Sequence, residues 1–144
     1  MGSGIFFYKS GVKKHTLEGK TGLYKSWLQT VAQSEKVEIF QLNYIFCSDE
    51  EILEINRKFL GHDYFTDIIT FPYQADHNQL FADIYISLDT VKSNAQEYQV
   101  EFGEEIKRVM AHGLLHLVGY ADKTDKDAAL MREKENESIA MFSC

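Results

Sequence analysis

Val37-Glu38-Ile39-Phe40-Gln41-Leu42-Asn43-Tyr44-Ile45-Phe46-Cys47 runs directly into Ser48-Asp49-Glu50-Glu51, and this junction decides the fold class. The stretch from Val37 to Cys47 is rich in β-branched and aromatic side chains, the composition of a long strand. Ser48 and Glu51 then have capping-box spacing, in which the serine hydroxyl takes an orphan N–H of a first helical turn. The helix so opened carries Ile52, Ile55 and Phe59 on one face and stops near Gly61, a residue suited to a left-handed helix end. A strand, a cap and an amphipathic helix in immediate succession predict an α/β or α+β layered fold.

The flanking sequence repeats the theme. Upstream, Ile5 to Tyr8 reads as a short strand, and Gly22 to Ser34 as a helix with Leu23, Trp27 and Val31 spaced four apart. Downstream, Thr66 to Phe71 reads as a strand ended by Pro72, and the polar stretch to Leu80 reads as a loop. Ala82 to Leu88 alternates, with Ile84, Ile86 and Leu88 on one side and Asp83, Tyr85 and Ser87 on the other. Its polar face can border a cleft, which makes Asp83 and Ser87 cleft candidates, with simple surface exposure as the alternative. Helices are predicted from about Asp89 to Tyr98, Phe102 to Val118 and Asp125 to Phe142. The sum is an α/β (α+β) fold, a single mixed sheet of about four strands packed with about five helices, with residues 1–144 as one domain.

Composition bounds the function. A chain of 144 residues buries roughly two-thirds of the surface of its unfolded form and needs no staple to fold. With 44% apolar and 26% charged residues, extensive disorder is excluded. No apolar run approaches the length of a membrane span, and no secretory signal is legible, so no membrane partner is expected. Cys47 and Cys144 make no disulfide framework, and a reducing cytoplasm is the simplest location. A net charge of −7 argues against a partner held mainly through phosphates, and DNA is not expected.

The chemistry is concentrated in His112-Gly113-Leu114-Leu115-His116-Leu117-Val118-Gly119-Tyr120-Ala121-Asp122. Histidines four apart stand one helical turn apart on one face, so both imidazoles reach a single metal ion. At about 100° per residue, Ile106, Met110, Gly113 and Leu117 form the core stripe, and His112 and His116 lie on its flank. Gly119 is placed to end the helix and reverse the chain, which returns Asp122 to the same ion. Two histidines and one carboxylate leave a position for water, the mark of a catalytic rather than a structural zinc site. The spacing HxxxHxxGxxD also fits zinc metallopeptidases of the metzincin kind. Those use a glutamate directly after the first histidine as general base, and here that position is Gly113. Thr124 with Asp127 has capping spacing. Glu105 lies on the ligand face but about 10 Å of helix rise away, which suits a helix-start acid or a partner for a nearby cation. Lys107, Arg108, Lys123 and Lys126 flank the motif as a candidate basic rim. His15, His62 and His77 fall in predicted loops, where surface positions are expected. Cys47 reads as a buried small hydrophobe.

These residues resemble the YbeY family, bacterial metal-dependent endoribonucleases of ribosomal RNA maturation, whose motif is HGxLHLxGYDH. Thr66-Asp67-Ile68-Ile69-Thr70-Phe71-Pro72 is similar to the family's TDVLSFP strand, and Ala82-Asp83-Ile84-Tyr85-Ile86-Ser87 to its GDIxIS strand. Glu105 and Met131 also fall where the family pattern places them. The resemblance implies metal-activated attack of water on a phosphodiester of single-stranded ribosomal RNA, in maturation of the small-subunit RNA 3′ end and in ribosome quality control. The implied partners are single-stranded ribosomal RNA and ribosomal particles. The implied cofactor is one Zn2+ or another divalent ion held by His112, His116 and Asp122, with the two histidines as the catalytic residues. Asp122 stands where the family usually has a third histidine, with Ala121 in place of the preceding acid. Mixed histidine and carboxylate sets also suit iron. Leu60 stands where many members carry an arginine. A non-catalytic ribosome-associated binding factor with a structural metal is the remaining alternative.

Overall fold

The computed structural model describes residues 4–12, 17, 19–62 and 66–142. Its elements run β1 (Gly4–Lys9), α1 (Thr21–Ser34), β2 (Glu38–Cys47), α2 (Asp49–Leu60), β3 (Ile68–Pro72), β4 (Gln79–Ser87), α3 (Leu88–Tyr98), α4 (Phe102–Val118) and α5 (Asp125–Ala140). The strands form one mixed sheet in the order β1-β2-β4-β3. β1, β2 and β4 are parallel, and β3 returns antiparallel to β4.

The strand-to-helix junction behaves as its residues dictate. Ser48 Oγ accepts the Glu51 N–H at 3.3 Å, and α2 ends at Gly61 with φ +68°, a left-handed geometry that costs glycine little. One face of the sheet carries the main core, where Leu28 and Val31 of α1 and Met110 and Leu114 of α4 meet Leu42, Tyr44, Ile84 and Ile86. The other face carries a smaller cluster of Cys47, Ile52 and Ile69, joined by Ile55, Phe71 and Tyr85. Cys47 is fully buried. That burial, reinforced by Glu51, Asp49 and Asp89, pushes its thiol up to about 12, so it packs as the small hydrophobe expected. Cys144 and His15 lie outside the described residues. No helix among those described is long and apolar enough to cross a membrane.

Two expectations need correction. β4 begins at Gln79 rather than Ala82, because Gln79, Leu80 and Phe81 pair with Glu38, Ile39 and Gln41 of β2. The ladder with a distant strand, not local composition, extends it. Asp83 and Ser87 do not border the histidine cleft either. Asp83 accepts from Tyr73 Oη at 2.8 Å and from Asn43 Nδ2 at 2.9 Å. Ser87 donates to Asp49 Oδ1 at 2.6 Å and caps α3 through the Thr90 N–H. Both residues hold strands and helix starts in place.

α4 is the element that positions the chemistry. Tyr44 donates its hydroxyl proton to the Met110 carbonyl at 3.0 Å, tying the sheet to the middle of α4. One turn on, Gly113 lets the helix approach the strands closely. A Cβ there would lie 2.9 Å from Ile68 Cδ1 and 3.3 Å from Ile84 Cγ2. Position 113 therefore faces the sheet. A glutamate at this place would be driven into the core, where an ionised carboxylate is strongly disfavoured, so the metzincin arrangement has no counterpart here.

Candidate metal centre

α4 is buried on nearly all sides, and its half-exposed flank carries His112 and His116. Their rings stand edge to face, with centroids 4.6 Å apart, as the four-residue spacing requires. The helix ends at Gly119, whose φ of +125° is open to glycine and strained for other residues. The Tyr120 N–H closes back on the Leu115 carbonyl at 3.1 Å, and the Tyr120 hydroxyl donates to Glu35 Oε1 of the turn after α1 at 2.8 Å. With the reversal pinned at both points, Asp122 comes back over the helix. Thr124 then caps α5 by accepting the Asp127 N–H at 3.0 Å, as its spacing predicts.

Asp122 Oδ2 lies 3.4 Å from His112 Nε2 and 3.3 Å from His116 Nε2. A tetrahedral zinc with bonds of about 2.0–2.1 Å separates neighbouring ligand atoms by about 3.3–3.4 Å. The three ligand atoms all fall within 4.8 Å of one another, and the donor set, two imidazoles and a carboxylate, suits zinc or iron. A divalent ion fits the residues present.

A fourth residue completes the centre. His112 Nδ1 lies 2.7 Å from Glu135 Oε2. An ionised carboxylate only accepts, so Nδ1 carries the hydrogen and the lone pair of Nε2 is left toward Asp122 and His116. Glu135 is itself held by Arg108 Nη1 at 3.1 Å, and its side chain is only 7% exposed. Burial alone would lower the proton affinity of His112, but the hydrogen bond and charge of Glu135, with Asp122 and Asp67, raise it overall. Glu135 was invisible in the sequence because it sits in the mixed polar run Arg132-Glu133-Lys134-Glu135-Asn136-Glu137 of α5. Its one local signal is its spacing, four residues after Met131 and three before Ser138, the other buried positions of α5.

A cleft of about 280 Å³ opens beside the three donors, lined also by Thr66, Asp67, Ile68 and Thr70. Burial raises the Asp67 carboxyl above the ordinary range. A second hollow, of about 400 Å³, borders His116 and is walled by residues 74–77. There His77 is not among the clustered donors, and its Nδ1 donates to the Leu117 carbonyl at 3.0 Å. The predicted basic rim is divided. Arg108 is taken up by Glu135, and Lys107 stacks 4.0 Å over the ring of Phe142. Lys123 and Lys126 stay exposed beside Asp122. Arg132 lines the polar hollow behind His112.

The model of the Endoribonuclease YbeY family matches residues 9–143. This chain belongs to the YbeY family. It is 48% identical over 137 residues to an Endoribonuclease YbeY of Cytophaga hutchinsonii, covering 95% of this chain and 94% of the relative. It is 50% identical over 119 residues to that of Flavobacterium johnsoniae, covering 83% and 85%. The solution structure of a Thermotoga maritima protein superposes with a TM-score of 0.70 at 32% identity, over 96% of this chain and 88% of that one. The resemblance read from the motif is borne out, and the YbeY match extends it upstream through the first helix.

Glu105 is buried in this YbeY chain and lies outside the three-residue cluster. It shares a polar hollow with Arg108, Arg132 and Glu135. Burial raises its carboxyl, Arg108 and Arg132 oppose the shift, and Asp67 and Glu135 add to it. A carboxyl raised in the folded state contributes stability that is present below its unfolded pKa and lost as pH rises through the folded value. Glu105→Gln is therefore expected to gain stability relative to the parent as pH rises from about 4 toward 8. Thermal melts in chelator across that range test this, and a difference that does not change with pH would contradict it.

Proposed function

We propose that the chain, acting as one 1–144 domain in the cytoplasm, is a metal-dependent endoribonuclease. Its substrate is single-stranded ribosomal RNA on ribosomal particles, in maturation of the small-subunit RNA 3′ end and in ribosome quality control. His112, His116 and Asp122 would hold the ion, with Zn2+ the first candidate. The observation that carries this reading is the placement of Asp122 Oδ2 at 3.4 and 3.3 Å from two imidazole nitrogens, in a chain matched by the Endoribonuclease YbeY model.

When bound, a divalent ion supplies Lewis acidity toward a phosphoryl oxygen and a water acidified to near neutrality. The protein's own side chains do the rest. Glu135 holds the His112 ring and its tautomer, and Arg108 holds Glu135. Thr66, Asp67 and Thr70 line the cleft beside the donors. Lys123 and Lys126 lie next to Asp122 in sequence, where a strand's phosphates need cations. Gly113 cannot be the seat of a general base, since its position faces Ile68 and Ile84.

The test is cleavage of a single-stranded oligoribonucleotide and of its annealed duplex by protein as purified, after chelation, and after adding back zinc. The expected result is cleavage of the single strand alone, lost with chelator and restored by metal. Chelator-resistant cleavage, or none in metal-loaded protein, would overturn the reading.

A further inference from the structure

The sheet face opposite α4 is covered by α2 only over its C-terminal part. At the other end three rings converge. Phe40 and Phe81 have centroids 5.1 Å apart at 72°, and Tyr73 and Phe81 5.3 Å apart at 59°. Phe40 is 43% exposed and Tyr73 54%. Large aromatics this open, and clustered, are unusual on a folded surface without a partner. The rings wall a pocket of about 210 Å³, closed by Gln74, Ala75, Asp76 and Gln79. Among the described residues no lysine or arginine lines it. Its one formal charge is Asp76. Just beneath, Tyr73 donates its hydroxyl proton to Asp83, which leaves the tyrosine ring more electron-rich.

Angled aromatic faces with a carboxylate at the rim are the chemistry that holds a cationic side chain. The same charges repel a phosphate backbone, and the chain's net charge of −7 adds to that bias. We propose that the Phe40–Tyr73–Phe81 pocket is a docking site for an arginine side chain of a basic protein partner, separate from the metal centre. The guanidinium stacks on the rings, and Asp76 at the rim takes part of its charge. The partner's flanking backbone lies along the uncovered strand ends. The pocket's lining includes none of His112, His116 and Asp122, although Gln74, Ala75 and Asp76 also wall the hollow that borders His116. The proposal does not depend on the reaction assigned to the metal centre.

The experiment is a chemical-shift titration of the 15N-labelled full chain with the peptide acetyl-Gly-Arg-Gly-amide. Parallel titrations use the isosteric citrulline peptide, which lacks the charge, and a uridine pentanucleotide. The expected result is perturbation centred on the amides of residues 40, 73–76 and 79–81, with the arginine peptide binding at least fivefold more tightly than the citrulline one. Tyr73→Ala should weaken it about fivefold or more, and Asp76→Asn about twofold, at 50 mM salt. Both positions are solvent-exposed, so the variants are expected to keep the parent spectrum elsewhere. Equal binding of arginine and citrulline peptides, shifts centred on another surface, or no binding would overturn the proposal. So would perturbation of these amides by the pentanucleotide and not by the arginine peptide, which would make the face a base-stacking platform instead.

Discussion

His116→Ala is expected to release the metal ion and to stop RNA cleavage. The substitution removes one of the three proposed donors, whose ligand atoms lie within 4.8 Å of one another. If metal chemistry supplies several kcal/mol of transition-state stabilisation, its loss is worth roughly three orders of magnitude in rate, at about 1.4 kcal/mol per decade. The fold should tolerate the change. The His116 side chain is 33% exposed on the flank of α4, and partly exposed substitutions of this kind usually cost well under about 1 kcal/mol. Metal content by mass spectrometry of the native protein, thermal melts in chelator and single-turnover cleavage separate these effects. A folded variant that keeps its metal at parent stoichiometry would show that the donor set is wrong. One that loses metal and still cleaves would show that the ion is not the catalyst.

Glu135→Ala is expected to act twice. The carboxylate fixes His112 through Nδ1 at 2.7 Å, and its loss frees the ring. Removing such an outer partner typically weakens metal binding about 10- to 100-fold. The same carboxylate neutralises Arg108, whose side chain is only 12% exposed. Breaking a buried pair from one side costs up to about 3–5 kcal/mol, because the remaining charge has no partner. The two effects separate in Glu135→Gln, whose amide oxygen still accepts the Nδ1 hydrogen while the ion pair is gone. Glu135→Gln should therefore retain most of the metal affinity and lose much of the stability, whereas Glu135→Ala loses both. Competition with a chromophoric chelator and denaturant melts of the metal-free protein give the two readouts. Unchanged metal affinity in Glu135→Ala would remove Glu135 from the centre.

The local steps of the chain were readable because they depend on neighbours in sequence. Ser48 capping at Glu51, Gly61 ending α2, Thr124 capping at Asp127 and the HxxxH pair all act over five residues or fewer. The return of Asp122 was also legible, since a glycine stop three residues after His116 limits where the chain can go. Asp83 and Ser87 hold strands and helix starts rather than the cleft, a choice that alternation cannot resolve. A period of two says that residues share a face, but not which face a distant helix will cover. β4 was read three residues short because its first residues are strand only by virtue of pairing with β2. The basic rim is settled in the same way. Arg108 and Lys107 look alike beside the motif, yet one is held by an acid of α5 and the other by the ring of Phe142.

By itself, then, the sequence determined the class of fold, the succession of strands and helices, the family and the clustering of His112, His116 and Asp122, through short-range spacing and turn chemistry. The tertiary structure alone decided that Glu135 orients His112, that position 113 faces the sheet, and that Phe40, Tyr73 and Phe81 meet on an uncovered face. Each of these joins residues far apart in the chain. Such meetings are settled by how apolar faces pack and how strands pair, and no local pattern records that outcome.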